Sequence, residues 1–142
     1  MKAVVCTKIG DPNLLEIKEI EKPKPNKNEV LIGVQAAGVN FPDALMVQGK
    51  YQIVMDPPFT PGNEVCGYVE DSGDDVDIEN GTKVIALPPI GGFSEYVCVD
   101  DDTVAVTCSN CVTRRTLNLM PMDSFFKSTK PKTGRPAGWH WM

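Results

Sequence analysis

Apolar and polar positions along the first hundred residues change in short runs, which favours strands over long helices. Residues 2–6 form a β-branched apolar run. After the turn signal Gly10-Asp11-Pro12-Asn13, Leu15-Glu16-Ile17-Lys18 alternates with period two, so these stretches predict a first hairpin. Residues 21–28 combine prolines with charges and predict a loop, because each proline holds its predecessor in extended backbone. Residues 29–36 are apolar on both faces for part of their length, which predicts a central strand. After Gly38-Val39-Asn40 the pattern changes: residues 41–49 carry Pro42 near the start, Asp43 in the first turn and Gly49 at the end, predicting one short helix. Residues 56–62 read as irregular and 65–70 as a strand. An acidic turn region follows at 71–79, closing on the tight-turn pair Asn80-Gly81. A strand is predicted at 82–87. A half-buried one follows the diglycine Gly91-Gly92, with Phe93, Glu95, Val97 and Val99 on one side and Ser94, Tyr96 and Cys98 on the other. Many short strands with one helix predict a mainly β domain, a barrel or sandwich, over residues 1–106.

Beyond Val106 no period is sustained. Arg114-Arg115, scattered Phe and Trp, and the breakers Lys130-Pro131-Lys132 and Gly134-Arg135-Pro136 predict a divergent, poorly ordered tail over residues 107–142. Within it, Leu117-Asn118-Leu119-Met120 could form a single turn or strand. Cys108-Ser109-Asn110-Cys111 with His140 resembles half a metal or redox site. A zinc ribbon needs a second pair and a thioredoxin-like motif needs a strand-to-helix setting, so the expectation is an incidental pair of thiols.

Composition sharpens this division. The net charge of −5 hides eight Lys/Arg against eighteen Asp/Glu up to Val106, and six against one beyond it. An acidic body argues against a nucleic-acid surface, and the basic tail is too interrupted by Pro and Gly to form a binding stripe. Nowhere is there an apolar run near the roughly 20 residues of a membrane span, and the start lacks a signal peptide's apolar core, so the expectation is a cytoplasmic protein with no membrane partner. Five cysteines, an odd number, favour reduced thiols over a disulfide framework.

Three motifs carry a family resemblance: Gly38-Val39-Asn40-Phe41-Pro42-Asp43, then Thr60-Pro61-Gly62-Asn63-Glu64-Val65-Cys66-Gly67, then Gly91-Gly92-Phe93-Ser94-Glu95-Tyr96. In this order and spacing they resemble the amino-terminal domain of medium-chain dehydrogenases/reductases, and within them the quinone oxidoreductase branch that includes zeta-crystallin. The likeness spans about residues 1–106 and implies a GroES-like, partly open β-barrel with one short helix. It implies hydride transfer from NADPH to a quinone or similar carbonyl acceptor. It also bears on metal: zinc alcohol dehydrogenases of this superfamily place a Cys ligand where this chain has Asn40 and a His where it has Asn63. An amide oxygen replaces thiolate or imidazole poorly at tetrahedral zinc, so no metal is expected.

In the zinc-free branch, Asn40 resembles the residue whose amide lies beside the nicotinamide end of the cofactor, and Tyr51 resembles a tyrosine lining the same cleft. Their implied catalytic contribution is orientation, since hydride donor and acceptor must be held at near-attack distance. Simpler readings stand beside these: a strand-end Asn also satisfies turn backbone, and an aromatic near a Pro-rich loop also serves as packing. Asp43 is expected to be a helix-start charge and Glu64 to make an internal hydrogen bond or ion pair that shapes the cleft. Leu45 stands where some relatives have a second cleft tyrosine, which puts quinone specificity in doubt.

No glycine-rich strand-turn-helix follows, so a Rossmann nucleotide-binding domain is expected to be absent and the chain inactive alone. Since the family barrel is completed by chain returning after that domain, exposed edges are expected, through which copies or a longer relative could pair. The rival reading is accordingly a non-catalytic interaction module. A co-chaperonin, which shares the implied fold, ranks lower for want of a long flexible apolar loop early in the chain.

Overall fold

The computed structural model describes residues 1–107 and a three-residue strand at Leu119–Pro121. Eight strands and one α-helix follow in order: β1 (Lys2–Val5), β2 (Glu16–Glu19), β3 (Glu29–Gly38), α1 (Phe41–Val47), β4 (Val65–Ser72), β5 (Lys83–Ala86), β6 (Tyr96–Asp100), β7 (Val104–Val106) and β8 (Leu119–Pro121). A six-stranded antiparallel sheet has the order β6-β3-β4-β5-β7, with β8 pairing β3 beside β6.

β3 is the axis of this sheet. It pairs β4 along one edge, and β6 then β8 along the other. Being covered on both faces, it can be apolar without alternation, and Val30 to Val34 are all buried. Val4, Val30, Ile32, Val65, Val84 and Phe93 are among the residues that fill the core. β1 joins the curled sheet through Val4 N–H to Phe93 O at 2.8 Å and Glu95 N–H to Lys2 O at 3.0 Å, giving a partly open barrel. A smaller cluster of Cys6, Met46, Val47 and Phe59 lies beneath α1.

The expected hairpin forms, but β2 is exposed on both faces and so does not bury one side of its alternation; among the described residues it pairs only with β1. Its turn includes a 3-10 segment at Pro12–Leu14, where Asp11 Oδ1 accepts from Asn13 N–H at 2.8 Å. The strand predicted at 93–99 begins at Tyr96. The Ser94 hydroxyl lies 2.7 Å from the carbonyls of both Gly91 and Tyr96, holding its backbone in a bend. The acidic turn region hides two packing residues, since Val76 and Ile78 lie against the core. Leu119 and Met120, in the segment read as a turn or strand, fall in β8, opposite Gly38 and Ala37 of β3. The remaining expectations for the tail, including Cys108, Cys111 and His140, fall outside the described residues. No helix among the described residues is long and apolar enough to cross a membrane.

Candidate functional site

Where β3 leaves the sheet, a bulge decides what the chain meets next. Val34 pairs Gly67 and Ala36 pairs Cys66, so Gln35 has no partner on β4 and points to solvent. The extra residue turns the end of β3 so that Gly38 N–H reaches Glu64 O at 2.9 Å. Close approach requires glycine there: a Cβ on Gly38 would meet the Glu64 carboxylate.

Two residues on, Asn40 is the N-cap of α1, in extended backbone at φ −112 and ψ 156. Its backbone N–H donates to Asp43 Oδ2 at 2.8 Å, and Asp43 N–H donates back to Asn40 O at 3.0 Å. Asp43 Oδ1 also accepts from Gly62 N–H at 3.2 Å, which ties the Pro61-Gly62 turn to the helix start. Although only 4% exposed, Asp43 is therefore hydrogen-bonded through both oxygens. Burial pushes its carboxyl above the ordinary aspartate range; the two N–H donors oppose this and the Glu64 carboxylate adds to it. The helix-start reading of Asp43 agrees with this geometry, and the bond to Gly62 was not legible from sequence.

The Asn40 side chain is held as firmly as its backbone. Its Nδ2 donates to Asn63 Oδ1 at 3.1 Å and to Glu64 Oε2 at 2.9 Å. Glu64 thus makes the internal hydrogen bond expected of it. Sequence reasoning treated Asn63 only as a poor zinc ligand and missed its contact with Asn40. The two positions do converge, as two amides joined by a hydrogen bond. Among the described residues no group of three or more His, Cys, Asp or Glu is placed to hold a metal.

Tyr51 follows α1, which ends at Val47. Its half-buried ring packs on the cluster of Cys6, Met46, Val47 and Phe59. Leu45 is half-buried on α1, while Phe41, beside Asn40, leaves an apolar ring 71% exposed. The described cysteines Cys6, Cys66 and Cys98 are free thiols, and none of them is a hydrogen-bond partner of Asn40. Cys98 is pushed up to about 11, first by burial and then by the Glu29 and Asp71 carboxylates, which keeps its thiol protonated near neutral pH.

The arrangement leaves a fixed polar group, the Asn40 amide, next in sequence to the exposed apolar ring of Phe41 at the start of α1.

The profile of the alcohol dehydrogenase GroES-like domain matches residues 26–113. Quinone oxidoreductase-like protein 2 of Bos taurus is 38% identical over 101 residues, covering 70% of this chain and 28% of its own length. Quinone oxidoreductase of Sus scrofa is 36% identical over 107 residues, covering 73% and 32%. The crystal structures of the quinone oxidoreductase from Thermus thermophilus, free and with NADPH, superpose with a TM-score of 0.67 at 36% identity, over 79% of this chain and 34% of that one. The chain thus spans about a third of the length of the relatives it matches.

Proposed function

Since the chain belongs to the alcohol dehydrogenase GroES-like domain family, we propose that residues 1–106 form the substrate-side domain of a zinc-independent, NADPH-dependent quinone oxidoreductase. The single observation that carries this reading is the Asn40 side chain, fixed at the β3–α1 junction by Asn63 and Glu64. NADPH supplies the hydride when bound. The contribution of this chain is to orient: Asn40 holds the nicotinamide side, Asp43 and Glu64 keep Asn40 in place, and the exposed Phe41 ring offers an apolar rest for a flat quinone or related carbonyl acceptor. The amides at Asn40 and Asn63 support a metal-free reaction, because a quinone accepts hydride without a Lewis acid. Tyr51 is assigned to the same cleft only by its resemblance. The phosphates of the dinucleotide are gripped elsewhere than in residues 1–107. Buried reduced thiols at Cys6 and Cys66 suit the cytoplasm.

Reduced nicotinamide mononucleotide, the cofactor's reactive half, tests this directly. Added to the isotopically labelled chain, it is expected to shift the resonances of residues 38–41 and the Asn40 side-chain amide. NADPH with 1,4-benzoquinone is expected to show no turnover above the uncatalysed rate. Shifts confined to other surfaces, or robust turnover, would contradict the assignment.

A second reading, a module that pairs with another copy or a longer relative, is favoured by the β7 edge. Among the described residues that strand pairs only with β5, and Val106 on β7 and Leu87 just past β5 are 62% and 60% exposed. On this reading a Val106→Lys change turns an associated species into a monomer in light scattering; a chain already monomeric at high concentration excludes it.

A further inference from the structure

We propose that the free edge of β2 is a self-pairing surface: two copies of this chain join β2 to β2 antiparallel, with Ile17 on the twofold axis and Glu16 of each copy facing Lys18 of the other. The proposal is independent of the β7 edge and of the Asn40 site.

The backbone decides which groups of β2 are available. Ile20 N–H donates to Met1 O and the Met1 ammonium donates to Ile20 O, both at 2.8 Å. Opposed residues of an antiparallel pair alternate between bonded and non-bonded, so Lys18 with Ala3 and Glu16 with Val5 continue the bonded set. Ile17 and Glu19 fall between them, and their N–H and C=O groups point away from β1. The strand opposite agrees: Val4 N–H and Lys2 O, facing Ile17 and Glu19 in register, are turned the other way, to Phe93 and Glu95. Among the described residues nothing pairs β2 on its outer side. An open row of this kind is a template for another strand.

The side chains decide the occupant. Hydrogen bonds form only in registers that set the outward-facing Leu15, Ile17 and Glu19 against one another. With Ile17 opposite Ile17 of the second copy, Glu16 faces Lys18 twice by symmetry, in the non-bonded pairs where side chains come closest. The neighbouring registers place Glu16 against Glu16, Lys18 against Lys18 or Glu19 against Glu19, and a parallel arrangement also opposes like charges. Charged residues ordinarily protect an edge strand; here one register turns them into attraction. Glu16 and Lys18 of one copy are already linked at 3.1 Å, so the pair completes a square of alternating charge. Ile17, 39% exposed, meets its counterpart on the opposite face. At each end Ile20 of one copy comes toward Leu14 of the other, both exposed apolar side chains. A four-residue strand makes this dimer weak and salt-sensitive.

Sedimentation of the full chain at rising concentration is expected to show a monomer–dimer equilibrium that weakens with salt. Over the same range hydrogen exchange at the Ile17 amide is expected to slow, since that N–H gains an acceptor only in the dimer. Glu16→Lys and Lys18→Glu each turn two attractions into two repulsions and are each expected to self-associate about tenfold more weakly. Mixed in equal amounts, the two variants are expected to associate again, because one chain then carries only cations and the other only anions at positions 16 and 18. Recovery in the mixture also shows that both variants fold. A wild-type chain that stays monomeric, or an Ile17 amide whose exchange ignores concentration, overturns the proposal. Single variants that associate as the wild type does, or a mixture that stays monomeric, also overturn it. Association abolished by Val106→Lys places the contact at the β7 edge instead and overturns it equally.

Discussion

Replacing Gly67 by Ala is expected to cost about 3 kcal/mol or more of folding stability, read as a lowered urea midpoint. A Cβ on Gly67 would sit on the Gly33 carbonyl, and the obstacle is backbone, so no rotamer change relieves it. Gly67 pairs Val34 at the bulge that leaves Gln35 unpaired. Separating the strands there disturbs the register that brings Gly38 and Asn40 against Glu64. The variant is therefore expected to lose the protected Asn40 side-chain amide together with stability. A Gly67→Ala chain of unchanged midpoint would show that β3 and β4 are not in such close contact.

Asp43→Ala is expected to cost about 3 kcal/mol, because it strips the Asn40 and Gly62 N–H groups of their acceptor in a buried setting. The effect depends on pH. The folded-state carboxyl is raised above its ordinary value, chiefly by burial. Between the unfolded and folded pKa values the native state keeps a proton that the unfolded chain has released, so stability falls as pH rises through that window. The deficit of the variant is thus largest in acid, below the ordinary aspartate value of about 4, and narrows as pH rises. Urea melts of both chains across this window check the sign. A deficit that widens with pH would mean that the two N–H bonds outweigh burial and hold the carboxyl down.

What sequence could show of this protein follows from the range of the interactions. β3 was legible because a strand covered on both faces is apolar throughout, and α1 because Pro42, Asp43 and Gly49 mark its ends within nine residues. Asn40 stood out by its place in a motif, and the internal bond of Glu64 was foreseen. The Asn40–Asn63 bond was not, since it joins residues 23 apart and depends on a bulge at Gln35 that no local pattern announces. β7, three residues long, is too short for an alternation to register. Val76 and Ile78 were masked by the aspartates around them, although both lie against the core. β2 shows the reverse failure: its alternation was clear, yet both its faces are exposed, because pairing with β1 does not bring it into the barrel.

The central claim is that the fixed Asn40 amide faces the ring that delivers hydride. An intermolecular nuclear Overhauser effect between the C4 hydrogens of reduced nicotinamide mononucleotide and protons of Asn40 or Phe41 measures it most directly. The account predicts that contact in the wild-type chain and its loss in Asn40→Ala. Contacts from C4 only to residues remote from the β3–α1 junction would contradict it.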